Sequence, residues 1–228
     1  MSAKDIIYRR KATRAFLDKP IPKEDLMEVL ETTNQTPSWT NSQPWEVFIV
    51  SGDKLKSLRE VWQKEMSKFT AETMPYDRMD IQFPGYDSWG NAPQAIENMV
   101  GFKEKFAKET GLPQEEFVKI ALEANANFFY APTIVYLGMK KDLGPYSMFD
   151  LGAYQQTLML AAEDKGLQTC PAGAFVILGD LLRRELNIPE DISIALGVAM
   201  GYEDKEHVLN KRGAMPRMEL NQYVRMIE

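Results

Sequence analysis

The chain has 228 residues, 44% hydrophobic and 26% charged, which suits one large domain with a substantial core and argues against wholesale disorder. Its formal net charge is −6 and no long basic block is present, which argues against a surface built for nucleic acid or anionic lipid. A single cysteine, Cys170, and a single histidine, His207, exclude an intrachain disulfide framework and a cysteine zinc site, so an enzyme of this composition must borrow its chemistry from a cofactor.

Taken in chain order, residues 3–10 read as a short helix that leads into the basic cluster Arg9, Arg10, Lys11 and Arg14. The N-terminal segment lacks the apolar stretch of a signal peptide, and no 18-residue apolar run occurs, so the cytoplasm is the expected compartment. Pro22 and the acids after it open a second helix whose Leu26, Val29 and Leu30 share one face. A polar, proline-bearing loop from Thr33 to Pro44 runs into the strand Trp45–Val50, and 53–66 is helical again.

From about 67 to 112 the pattern breaks. Aromatic residues mixed with Pro and Gly suggest an ordered excursion over a site, and Trp62, Tyr76, Phe83, Tyr86 and Trp89 are its candidates for a substrate-side wall. Packing into a satellite core or an interface is the competing reading. Helical character returns at 114–129, a second strand is expected at 132–137, and 150–165 reads as an apolar central helix. Gly166 to Cys170 leads out of it, 178–186 is helical, and 192–200 is a further strand. The tail from 203 to 228 ends semi-apolar, as a segment that docks on its own body or on a partner does.

Neither GxGxxG nor GxxxxGK[ST] is present, which weakens a Rossmann or P-loop reading. Three constellations remain. The basic cluster can bind a phosphate through paired hydrogen bonds, or be merely solvated. The Pro37–Trp45 loop is rich in donors and acceptors that could clasp a heteroaromatic edge. Around Gly173 the backbone carries little bulk, so a flat ligand could approach its N–H groups. Cys170 is expected to be an inert packing residue and His207 a surface residue among charges.

The joint order of these pieces resembles the nitroreductase family. Arg9-Arg10-x-x-x-Arg14-x-Phe16 is followed by Pro37-Ser38-x-x-Asn41-Ser42-Gln43-Pro44-Trp45. Next come Asp150-x-Gly152-x-x-x-Gln156, Gly166-Leu-x-Thr-Cys170, Met200-Gly201-Tyr202 and a late Pro216-Arg217. The match covers roughly residues 6–62 and 128–224. It implies an α+β fold, a mostly antiparallel sheet flanked by helices, in a single domain 1–228. It also implies an intertwined homodimer embraced by the tail at about 203–228, FMN at the interface, and NADH or NADPH as donor in a ping-pong reduction of a flat aromatic acceptor.

Position by position, Arg10, Lys11, Ala12 and Arg14 match the segment beside the FMN phosphate, with Ala12 where Ser is frequent. Arg217 matches a late phosphate-contacting Arg. Met215 stands where a Lys is common, a loss for which Lys211 or Arg212 could compensate. Pro37, Ser38, Trp39 and Asn41 resemble the loop at the isoalloxazine edge, with Trp39 in place of a small residue. Pro171, Ala172, Gly173 and Ala174 resemble the segment at the flavin's other side. No catalytic side chain, metal, nucleic acid or membrane is implied. A reductive dehalogenase, or a flavin binder without turnover, is the alternative.

Overall fold

Residue register decides the architecture. The computed structural model describes residues 2–70, 73–81, 92–211 and 215–228, without the Lys103 side chain. Within them, β1 (Trp45–Ser51), β2 (Thr133–Lys140), β3 (Gln168–Ala172) and β4 (Ile192–Gly201) form one antiparallel sheet in the order β1-β2-β4-β3. Helices α1 (Ala3–Arg9), α2 (Lys23–Thr33), α3 (Gly52–Met66), α4 (Pro93–Thr110), α5 (Gln114–Ala126), α6 (Pro145–Asp164), α7 (Gly179–Leu186) and the single turn α8 (Leu220–Tyr223) surround it. The fold is α+β.

The sheet is buried on both faces. On β2, Ile134 and Tyr136 point into one apolar cluster with Leu58, Trp62, Phe128 and Phe175, while Val135 and Leu137 point into a second with Val29, Leu158 and Met159 of α2 and α6. A continuous apolar run is what a strand covered on both sides requires. On β4 the even positions change face. Ile192 and Ile194 join the first cluster and Val198 and Met200 the second, because the β2–β4 register slips between Leu137 and Gly138. One inserted residue inverts the alternation. Gly138 sits at that slip, where a Cβ would lie 2.6 Å from the Ser193 carbonyl oxygen.

Two expectations change. β3 is a strand, where the sequence suggested only a connection. It is a five-residue edge strand, the position at which Pro171 costs no ladder bond. Within the 67–112 excursion, Pro93–Thr110 is the regular helix α4. Residues 73–81 are tied to the body. Arg78 donates to both Asp180 carboxylate oxygens at 2.9 and 2.8 Å and pairs with Glu65 at 3.1 Å. Asp80 accepts from Arg183 at 2.6 Å and from the Ile194 N–H at 2.9 Å.

Candidate active site

α1 begins with a reciprocal cap between Ser2 and Asp5 and stops at Arg9, because Arg10 leaves helical conformation at φ −55°, ψ 123°. The chain then runs extended against the edge of the sheet. Ala12 bridges Thr169, the Thr13 N–H donates to the Thr169 carbonyl at 3.0 Å, and Phe16 bridges Glu203. Asn210 clamps the same segment from the far end of the sequence. Its Oδ1 accepts the Arg14 N–H at 2.8 Å, and its Nδ2 donates to the Ala15 and Asp204 carbonyls, each at 2.8 Å.

An extended backbone alternates its side chains. Thr13 is buried against β3, and the Lys11 ammonium lies 2.7 Å from the Glu203 carboxylate. Arg10, Ala12 and Arg14 line a cleft of about 820 Å³ together with Ile7, Tyr8, Phe102 and Arg217, and the paired Lys11 borders it too. Arg9, at the cleft's rim, pairs with Glu163 at 3.3 Å. Burial pushes the Glu163 carboxyl above the usual carboxylate range, and Arg9 and Arg10 pull it back. Lys11 and Arg9 are thus matched by carboxylates at contact distance, whereas Arg10, Arg14 and Arg217 make no ion pair within 4.0 Å among the described residues, Arg10 acting on Glu163 only from further off. The Arg14 guanidinium instead lies 4.9 and 5.4 Å from the Phe106 and Phe102 rings of α4, and Arg217 turns to the Met215 and Pro216 carbonyls at 3.0 Å. The result is an amphipathic cleft, cationic along one wall and apolar along the other.

Pro171 and Ala172 end β3, whose Thr169 pairs with the Ala12 segment, and Gly173 and Ala174 follow in a short turn; none of the four lines the arginine cleft. Phe175 anchors the turn. The ring is fully buried, and Gly197 is required beneath it, since a Cβ there would lie 2.8 Å from the Phe175 Cβ.

The Pro37–Asn41 loop is held elsewhere. The Trp39 N–H donates to both Asp150 oxygens at 3.2 and 3.1 Å, and the Trp39 and Tyr146 rings are 5.0 Å apart. Ser38 accepts from the Gln43 N–H at 2.9 Å, and Thr40, Asn41 and Gln43 adopt positive φ. Asp150 and Tyr146 belong to the first half of α6, whereas Gln156 and Glu163, which border the arginines, lie about 9 and 20 Å further along it at 1.5 Å per residue. No residue of the loop lines the arginine cleft.

Of the aromatic wall, Trp62 is a core residue, 1% exposed, with its ring 5.0 Å from Phe128. It offers no face to a substrate, because the apolar face of α3 turns inward. Tyr76 is half exposed on the pinned segment, and Phe83, Tyr86 and Trp89 lie outside the described residues. Lys211 pairs with Glu206 at 3.6 Å, and Arg212 lies outside the described residues. Cys170 is buried. His207 caps a short turn, its Nδ1 accepting the Leu209 N–H at 3.3 Å. Sequence reasoning quoted Asp150 only as part of the Asp150-x-Gly152-x-x-x-Gln156 pattern and gave no role to Glu163, Glu203 or Asn210; an acid inside an apolar helix was the available signal for the contact made by Asp150.

The model of the nitroreductase family matches residues 7–202. The chain belongs to the nitroreductase family. Among family relatives, the chloronitrobenzene nitroreductase of Comamonas testosteroni is 27% identical, with 98% of this chain and 96% of that protein covered. The 4-nitrobenzoate reductase of Pseudomonas putida is 27% identical over 93% and 89%. The crystal structure of the FMN-dependent nitroreductase NfnB from Mycobacterium smegmatis in complex with NADPH superposes with a TM-score of 0.86 at 26% identity, covering 99% of this chain and 98% of that one. No described helix of this nitroreductase-family chain is long and apolar enough to cross a membrane.

Proposed function

We propose that the chain is an FMN-dependent oxidoreductase that uses NADH or NADPH to reduce nitroaromatic or quinone-like acceptors. The observation that carries this reading is the convergence of Arg10, Arg14 and Arg217, none in an ion pair within 4.0 Å among the described residues, on a cleft that Ile7, Tyr8, Phe102 and Met215 also line. That set fits a molecule with a doubly charged phosphate at one end and a flat apolar ring at the other. Relatives that reduce nitroaromatics, and the solved FMN-dependent nitroreductase in complex with NADPH, support the same reading.

When bound, FMN would supply the hydride chemistry, accepting from the nicotinamide and donating to the acceptor in a separate half-reaction. The chain's own residues do the rest. Arg10, Arg14 and Arg217 orient the phosphate by charge-assisted hydrogen bonds. Glu203 and Glu163 pair with Lys11 and Arg9 at the border of the cleft, and Asn210 fixes the backbone on which Arg10 and Arg14 stand. Pro171–Ala174 present backbone without bulk.

The Pro37–Asn41 loop would complete the site from a second copy. With two α6 helices packed antiparallel, the Asp150 end of one copy comes beside the Glu163 end of the other. The tail supports such a homodimer, since Leu220, Tyr223, Met226 and Ile227 are 67%, 59%, 82% and 94% exposed. Residues 203–228 would then embrace the partner, with 1–228 forming one domain.

The test is an absorption spectrum of the purified protein before and after anaerobic NADH or NADPH. Flavin bands that bleach with a donor and return with a nitroaromatic acceptor are expected. A colourless protein that takes up no added FMN would contradict the reading, and bleaching without turnover would favour a flavin binder. Parallel double-reciprocal plots would mark the ping-pong order, and converging ones would exclude it.

A further inference from the structure

We infer that Phe102 and Phe106 of α4 are positioning residues for the cofactor. They hold the Arg14 guanidinium ready for the FMN phosphate without neutralising its charge or occupying its N–H donors. This role rests on the proposed phosphate site at Arg10, Arg14 and Arg217, and it makes α4 a working part of that site.

Arg14 needs a restraint. Arg9, Arg10 and Lys11 stand within five residues of it, and like charges this close repel one another. Its side chain is long, and freezing a side chain of many rotamers only when the ligand arrives weakens binding. A carboxylate would restrain it, but would compete with the phosphate for the same donors. Arg9 and Lys11 are restrained in that way, by Glu163 and Glu203. Arg14 makes no ion pair within 4.0 Å among the described residues, and its Nη1 lies 3.5 Å from the Ala12 carbonyl, beyond the ordinary range of a hydrogen bond.

Two rings supply the restraint. The guanidinium carbon is 4.9 Å from the Phe106 ring centre and 5.4 Å from that of Phe102, both within the ~6 Å reach of a cation–π contact. The rings share one face of α4, with centres 5.8 Å apart. Phe106 is itself fixed, 5% exposed and edge-on to Phe117 of α5 at 5.0 Å. A ring attracts the cation through its face and takes none of the in-plane N–H groups, which stay available for two-pronged contact with a phosphate. From the other side, Asn210 accepts the Arg14 backbone N–H at 2.8 Å, so backbone and guanidinium are held by separate elements. Phe102 lines the cleft whereas Phe106 does not, so Phe106 acts on the cofactor only through a neighbour.

The test is a double-mutant cycle in FMN affinity on the full-chain apoprotein, with riboflavin as the phosphate-free control. Phe106→Leu keeps an apolar side chain and removes the ring. It should weaken FMN binding roughly 3–10-fold, the change that corresponds to freezing one long side chain, and leave riboflavin binding unchanged. In an Arg14→Met background the same substitution should have little further effect on FMN, because the guanidinium it serves is gone. Should Phe106→Leu fail to fold, Phe102→Leu runs the same cycle at a half-buried position. Phe102→Tyr, which keeps a ring, should bind FMN as wild type does. Equal losses with and without Arg14, or parallel losses of FMN and riboflavin, would overturn the assignment, because α4 would then be packing and no more. An FMN affinity indifferent to both ring deletions would overturn it too. A wild-type chain that binds neither flavin, or binds riboflavin as tightly as FMN, would instead bring down the phosphate site and this role of α4 with it.

Discussion

The Tyr136 hydroxyl lies in the apolar cluster near Phe175 and Gly197, fully buried, with no hydrogen-bond partner among the described residues. Burial alone pushes its pKa far up, so it does not titrate in any useful range. An orphan phenol costs desolvation and returns nothing, so Tyr136→Phe should be neutral or stabilising by up to about 1 kcal/mol. That corresponds to a rise of roughly 2–4 °C in Tm for a chain of this size; a loss of several degrees in a thermal melt would mean that the hydroxyl is bonded after all. At the same scale, charge matching separates the cations near the cleft. Lys11 and Arg9 are matched by carboxylates, and Arg10 and Arg217 are not, so Arg10→Ala or Arg217→Ala should each weaken FMN binding by about 1.5–3 kcal/mol. Lys11→Ala should cost less than either, checked by fluorescence titration of the apoprotein.

Among the elements, the segment 73–81 and α7 depend on one another. Asp80, Arg183 and the Ile194 N–H form a partly buried set, and Asp80→Ala would leave the Ile194 N–H without this acceptor and the guanidinium with only the Pro189 and Ile192 carbonyls and Glu190. A loss of about 1.5–3 kcal/mol in urea unfolding is expected, with faster amide exchange at 73–81; unchanged exchange would show that the pin is unnecessary. Beside it, the Arg78 hydrogen bonds hold the Asp180 carboxyl below the usual carboxylate range. A folded-state pKa lower than the unfolded one means stability that is present above about pH 4 and lost as pH falls through the folded value. Asp180 is well exposed, so the effect should stay below about 1 kcal/mol. Asp180→Asn should flatten the acid limb of the stability curve, and an unaltered limb would contradict the assignment.

Legibility follows from locality at this scale. β1, β2, β4 and α6 announce themselves by long apolar runs. β3 does not, because a five-residue edge strand holding Pro171 has no periodicity to read. α4 carries Gly101 in its interior and follows an irregular stretch rich in Pro and Gly, which masked its helical character. The arginine cluster was legible because its members are neighbours in sequence. Its anchors, Asn210 and Glu203, were not, since they reach Arg14 and Lys11 from nearly two hundred residues away.

For the whole molecule, two core clusters on opposite sheet faces leave the cation cleft and the Trp39 loop toward opposite ends of α6. A site shared between copies predicts complementation. Co-expressing Arg10→Ala with a Ser38→Ala, Asn41→Ala double variant should give mixed dimers in which one site is fully wild type. Flavin content and NADPH turnover should then exceed those of either variant alone, and an absence of recovery would confine each site to one chain.

The most direct measurement is a paired titration of the apoprotein with FMN and with riboflavin, in wild type and in Arg217→Ala. The wild-type chain should prefer FMN strongly, and the variant should lose at least ~10-fold of that preference while binding riboflavin much as before, since one charged hydrogen bond to the phosphate is removed. An FMN preference identical in both proteins, or riboflavin binding as tightly as FMN to wild type, would contradict a phosphate held at Arg10, Arg14 and Arg217.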